Sequence, residues 1–259
     1  MNKKHFVLGG DIKKSLTEGY QLDFKTLFKD AFVITKKHFL PLLVACLFTV
    51  IIVAVSYGLI FDDTNGSETS QMVINFIFTS VVMTPLVTGL QMMGVHHSIG
   101  VKSKSIDVFN YFNKILPLAL ASLIINLLVY GINVGLTQAL GDSAVVPSLI
   151  ILLYLNMAFC LVYPLIAEKQ VEPVLALKLS LKLVNKNLRQ FTLLFMILGL
   201  IGIVSLLPYG LGLFVFIPFY FNLMGIIYRQ MCGVGVVASI NDSDDDDNNH
   251  NDNNDEFEA

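Results

Sequence analysis

Apolar positions along the chain alternate between two regimes. From Asp23 to His38, Phe24, Leu27, Phe28, Ala31, Phe32 and Thr35 recur at spacings of three and four, which places them on one helical face. Lys25, Lys29, Asp30, Lys36 and Lys37 fall on the other face, and Asp23 stands where an N-cap belongs. From Phe39 to Phe61 the periodicity vanishes and no charge appears. The pattern predicts an amphipathic helix feeding a membrane-spanning one. The pair returns at Glu172–Leu207, which is expected to run without a break. There Lys178, Lys182, Lys186 and Arg189 form a cationic stripe beside Leu177, Leu181, Val184 and Leu188, ahead of an uncharged stretch. A shorter version, marked by Ile106, Phe109 and Phe112, precedes Ile115.

Six uncharged stretches are each of the length, roughly 17–25 residues, that crosses a hydrocarbon core. They are 39–61, 71–95, 115–136, 145–167, 190–207 and 211–228. The expected fold is an all-α integral membrane protein of six transmembrane helices in three hairpins, each hairpin preceded by a cytoplasmic amphipathic helix. Residues 1–22 are expected as a flexible cytoplasmic N-terminus, 23–240 as the membrane domain, and 241–259 as a disordered acidic tail. All seventeen lysines and arginines fall within 1–38, 96–114 or 168–189 or at Arg229, and none lies near 62–70, 137–144 or 208–210. By the positive-inside rule both termini are cytoplasmic. Tryptophan is absent, which leaves tyrosines such as Tyr57, Tyr111, Tyr163 and Tyr228 as interfacial aromatics.

The hairpins read as an internal repeat. Leu40, Pro41, Leu42, Ala45 and Leu47 match Leu116, Pro117, Leu118, Ala121 and Leu123, and the second span of each pair contains a proline, Pro85, Pro164 or Pro218. All three units enter from one side, so a parallel, pseudo-threefold arrangement is expected. That weakens the analogy to transporters built from inverted halves.

Composition sharpens the class. The chain is 54% hydrophobic and 14% charged, against about 25% charged in soluble domains, and its mean hydropathy is +0.68. The net charge of −3 hides an acidic tail, without which the chain is basic. The first apolar run starts too late and is too long for a cleaved signal, so it reads as an uncleaved span.

Three stretches together carry a resemblance: PLVTGLQMMGVHHSIGVKSKSIDVFNYFNKILPL, VEPVLALKLSLKLVNKNLRQF and the closing IIYRQ. They resemble the YciC-like bacterial inner-membrane proteins over roughly residues 23–229, and are also similar to the membrane domain fused to some glycerophosphodiester phosphodiesterases. The resemblance implies a six-helix bundle in the bacterial inner membrane. It implies no biochemical activity and transfers no catalytic residue.

Candidate chemistry is sparse. No Asp, Glu, Lys or Arg lies in any expected span, which counts against ion-coupled transport. The intramembrane polar groups are Asn75, Gln91, Asn126, Asn133, Asn156 and Asn222, read as interhelical hydrogen bonding or as a solute path. Gly131 and Gly135 form a GxxxG, read as internal packing. His96 and His97 lack a third metal ligand at suitable spacing, and Cys46, Cys160 and Cys232 fit no metal or disulfide framework. An EF-hand register forced through the tail puts His250 where glycine is required. No nucleophile–base pair and no phosphate-cradling loop is visible.

The expected function is therefore a non-enzymatic, multi-pass inner-membrane protein with a scaffolding or envelope-related role. It is expected to hold no cofactor or metal and to bind no nucleic acid. The alternative is a passive transporter or channel for a small or lipidic solute. A water-filled cavity lined by Asn126, Asn133 and Asn156 favours the alternative, and a dry bundle favours scaffolding. Lys25, Lys29, Lys36, Lys37, Lys178, Lys182, Lys186 and Arg189 are expected to contact anionic headgroups, each cation contributing about 1 kcal/mol near such a surface.

Overall fold

The computed structural model describes residues 2–61 and 68–240. The acidic tail and most of the acidic loop after the first span lie outside the described residues. Helix dominates. Strand β1 (Asn2–Leu8) leads into α1 (Ile12–Thr17), α2 (Phe24–Lys37), α3 (Phe39–Phe61) and α4 (Glu68–Phe78). A π-helical turn (Thr79–Met83) joins α4 to α5 (Thr84–Ser98), and a 3-10 segment (Ser105–Lys114) leads into α6 (Ile115–Leu140). A short 3-10 turn (Gly141–Ala144) precedes α7 (Val145–Ala158), α8 (Val162–Lys169), α9 (Pro173–Lys186), α10 (Leu188–Leu206), α11 (Leu213–Cys232) and β2 (Val234–Ile240). Five helical stretches are long and apolar enough to cross a membrane: 39–59, 70–98, 105–169, 188–206 and 213–232. The third is 65 residues long, and within it α6 packs against α7.

Proline chemistry sets most of these boundaries. Pro41, Pro117, Pro147, Pro164 and Pro173 sit in the first turn of their helices, where a missing N–H costs nothing. Pro85 stands just after the π turn, and the backbone breaks at 159–161 ahead of Pro164. The expected fourth span is thus two helices. Its break is satisfied from a neighbour: the Ser180 hydroxyl donates to the Ala158 carbonyl at 2.7 Å and accepts from the Leu161 N–H at 3.3 Å.

Three elbows turn a preceding helix into a long apolar one. His38 (φ −116°, ψ 26°) lies between α2 and α3. Lys114 (φ −110°, ψ 23°) lies between the 3-10 segment and α6. Asn187 (φ −136°, ψ 53°) separates α9 from α10, so the continuous helix expected over 172–207 is interrupted. Each elbow is anchored. The His38 ring stacks on His97 with centroids 4.3 Å apart, and the Lys114 ammonium donates to the Ala167 carbonyl. The Asn187 amide donates to the Tyr20 carbonyl at 2.9 Å.

The helices before the elbows bury their apolar faces on protein. Helix α2 packs along α11, the 3-10 segment along α5, and α9 along α8. Leu27, Ala31 and Thr35 of α2 are buried, as are Ala176, Leu177, Ser180, Leu183 and Val184 of α9. Lysines 25, 29, 36, 37, 178, 182, 186 and Arg189 stay exposed. Only part of the apolar face of α2, such as Phe32 at 65% exposed, remains open. The partners are α11, α5 and α8, surfaces that helix count alone does not reveal.

Close backbone approach fixes the centre. A Cβ on Gly94 of α5 would lie 2.1 Å from the Phe221 carbonyl oxygen, and one on Gly225 of α11 2.2 Å from Gly94. A Cβ on Gly89 would meet the Val108 carbonyl oxygen at 2.2 Å. By contrast nothing lies within 4 Å of a Cβ on Gly131 or Gly135, so that GxxxG packs against nothing among the described residues and the internal-packing reading is corrected. Tyr228, expected at the interface, is fully buried and donates to Glu168 Oε2 at 2.8 Å.

The N-terminal segment carries a strand and a short helix. Asp11 caps α1, accepting from the Lys13 N–H at 2.7 Å and the Lys14 N–H at 3.1 Å. Those two bonds hold its carboxyl below the usual carboxylate range. Strand β1 pairs antiparallel with β2, Asn2 opposite Ile240 and Leu8 opposite Val234. The chain therefore continues from α11 into a strand. Gly233 (φ +64°) turns the chain from α11 into that strand.

Candidate functional site

The buried core is concentrated at the end of the bundle that carries the basic helices. There the residues of α11 from Phe221 to Tyr228 are buried without exception, as are all but two residues of α5. Toward the opposite end α3, α10 and the second half of α6 are largely exposed and apolar, as lipid-facing helices are.

Above the packed end, α5, α6, α7, α8, α10 and α11 enclose a cavity of about 370 Å³. Three of the six amides singled out in the sequence line it: Gln91 from α5, Asn126 from α6 and Asn156 from α7. Tyr163, Tyr220 and Cys160 join them, and Leu155, Phe159, Phe195 and Phe221 supply an apolar wall. Gln91 is 9% exposed. Its Oε1 is the buried side-chain polar atom that lacks any hydrogen-bond partner among the described residues. An orphaned acceptor in a low-dielectric site costs about 1–3 kcal/mol.

A second cavity of about 380 Å³ lies between α4 and α6, lined by Asn75, Thr79, Asn126, Tyr130 and Asn133 among others. The two cavities share Asn126 and Val129. Behind this is a polar stripe on α6: Ser122, Asn126, Tyr130, Asn133 and Thr137 recur at helical spacing. The Asn126 amide donates to Ser122 Oγ at 3.2 Å, Asn133 to the Val129 carbonyl at 2.9 Å, and the Thr137 hydroxyl to the Asn133 carbonyl at 2.9 Å. The Asn156 amide donates to the Leu152 carbonyl at 2.9 Å. These are donations within one helix.

Asn222 is not part of this site. Its Oδ1 lies 2.9 Å from His97 Nδ1, and its amide donates to Thr35 Oγ1 at 3.1 Å. Since Oδ1 only accepts, His97 Nδ1–H donates, and Nε2 accepts from the Ser103 hydroxyl 2.6 Å away. His97 is therefore a satisfied knot tying α2, α5 and α11 together. Burial pushes the stacked His38 imidazole below its ordinary range, with Lys37 and Lys102 acting in the same direction. The sequence offered the His96–His97 pair as a signal but not its partners, which lie on three other elements. Among the described residues no group of three or more His, Cys, Asp or Glu is placed to hold a metal ion.

No family model matches the chain. No curated protein and no solved structure matches it either.

Proposed function

We propose that the chain is a non-enzymatic, multi-pass protein of the bacterial inner membrane that passively takes up an uncharged small or lipidic solute. In this reading it has six spans in three parallel units, with both termini cytoplasmic. The observation that carries it is the convergence of Gln91, Asn126 and Asn156 on one cavity. That feature separates solute binding from the scaffolding role the sequence favoured. The similar elbow dihedrals and the cyclic packing of α2 on α11, the 3-10 segment on α5 and α9 on α8 support the three-unit repeat. They also agree with the YciC-like resemblance. In this reading the exposed lysines of α2 and α9, with Arg189, meet anionic headgroups while their helices rest on protein.

Scanning cysteine accessibility tests this. The native cysteines are buried. In intact cells a membrane-impermeant thiol reagent should label Asn126→Cys and Asn133→Cys through a wet cavity, but not Leu127→Cys or Leu128→Cys on the lipid face. Ser143→Cys should label from outside and Lys104→Cys should not. Unreactive cysteines at 126 and 133 would mean a dry bundle and return the reading to scaffolding. Equal labelling at 143 and 104 would overturn the topology.

A further inference from the structure

We infer that the groove between the α2–α3 elbow and the α10–α11 hairpin holds one anionic phospholipid, with an acyl chain along its apolar wall and the phosphate on Lys36. This goes beyond solute uptake and rests on the headgroup-contact reading of the basic helices, to which it adds one defined site.

The place for the acyl chain follows from the walls. The groove has a volume of about 660 Å³. Phe32 of α2, Phe39 of α3, Ile201 of α10 and Val215, Phe216 and Phe219 of α11 line it. Phe32 is 65% exposed and Val215 54% exposed, so the groove opens outward, onto the surface that lipid meets. From Phe219 to Gly212 it follows α11 for seven residue steps, about 10 Å at 1.5 Å per residue. An apolar concavity facing a bilayer is filled by lipid, because an empty one forfeits the contacts of its whole lining. The acidic tail does not suit it: residues 241–259 contain one large apolar residue, Phe257.

The headgroup follows from the polar groups of the same lining. Two of them are engaged. The Ser205 hydroxyl donates to the Ile201 carbonyl at 2.7 Å, and Thr35 Oγ1 accepts from the Asn222 amide at 3.1 Å. The third is the Lys36 ammonium. It is exposed, and the ion pairs among the described residues are Lys14–Glu18 and Lys169–Glu168, so it has no counter-charge there. No acid lines the groove. Lys36 stands in the last turn of α2, just before the His38 elbow. A lysine there packs its stem on apolar surface while its ammonium reaches the interface. Lys29 and Lys36 are two turns apart on one face of α2, with Phe32 between them, so the field at the mouth is positive. An anionic phosphodiester supplies the missing counter-charge. A zwitterionic headgroup brings a second cation with it.

The chain contains no tryptophan, so a single one introduced by mutation reports from its own position alone. Val215→Trp puts it on the groove wall. Leu116→Trp, at a site 71% exposed in the first turn after the Lys114 elbow, puts it in bulk lipid, since the Lys114 ammonium is engaged with the Ala167 carbonyl. The full chain is reconstituted in dibrominated phosphatidylcholine, which quenches tryptophan, and unbrominated phosphatidylglycerol or phosphatidylcholine is titrated in. The ratio of their power to relieve quenching measures the preference for anionic lipid. One cation at such a surface corresponds to about a five-fold preference, so the ratio should be about five-fold higher at 215 than at 116. Lys36→Gln should bring the ratio at 215 down to that at 116, Lys36→Arg should keep it, and Lys182→Gln on α9 should leave it unchanged. Equal ratios at the two reporters overturn the site and leave the groove to another occupant, the acidic tail or a second copy, with only diffuse attraction of lipid. A raised ratio at 215 that survives Lys36→Gln overturns the headgroup anchor. Failure of the underlying headgroup reading looks different: the ratio is then one at both reporters.

Discussion

Replacing Gln91 with leucine should stabilise the protein. The side chain is buried against a cavity, and its Oε1 has no partner. Removing an unsatisfied buried acceptor recovers about 1–3 kcal/mol. Leucine is of similar size, and the adjoining space of about 370 Å³ accommodates its branched end, so no overpacking penalty offsets the gain. The folding equilibrium should therefore shift toward the native state by roughly 5–150-fold. Reversible unfolding in mixed micelles, without added solute, measures it. Gln91→Asn, which keeps the acceptor on a shorter arm, should show no such gain. A loss of about 1 kcal/mol or more in Gln91→Leu would refute the reasoning, because it would mean that the amide oxygen is satisfied in the resting protein.

Two further outcomes follow from the packing. Gly94→Ala should cost several kcal/mol or prevent folding, since its Cβ meets the Phe221 carbonyl oxygen at 2.1 Å, beyond the usual overpacking range of about 1–3 kcal/mol; Gly131→Ala, in open space, should be neutral or stabilising by up to about 1 kcal/mol, and the same unfolding assay reads both. Stability should decline as pH falls below the ordinary histidine range, because burial depresses the folded-state affinity of His38 for a proton while the unfolded chain protonates near pH 6.5; a His38→Gln variant should lose part of that acid sensitivity, and an unchanged pH profile would refute the assignment.

Much of the fold was legible because it rests on local chemistry. Asp23 caps α2 as its position suggested, its carboxylate accepting from the Lys25 N–H at 3.2 Å and the Thr26 hydroxyl at 2.5 Å. Uncharged stretches became long helices, and five of the six intramembrane amides line one of two adjoining cavities. What stayed hidden depends on chain segments meeting from afar. Nothing local to Leu27 or Ala31 says that α11 will cover them. Nothing in His97 announces Asn222, 125 residues away. Gly94 and Gly131 look alike in sequence, and only the crossing helix tells them apart. The terminal strand was partly readable. Val234, Val236 and Val237 form a β-branched run beyond Gly233, the kind that favours a strand, but its pairing partner lies at the other end of the chain.

The wrapping of α2 on α11 also imposes an order of assembly. Thr35 and Asn222 are 187 residues apart. At about 5–20 residues per second of synthesis, that separation is roughly 10–40 s. Throughout that interval the buried face of α2, with Leu27 and Ala31, has no partner of its own chain to cover it. The long apolar helix that follows it holds it against the bilayer, where lipid shields the face that α11 later takes over. Only when the last long helix emerges can α2 dock, His38 stack on a completed His97 knot, and β1 find β2. A segment made well before α11 is thus fixed only after it. A chain stopped before α11 would leave that face open, and a quality-control protease at the membrane surface would find its target there.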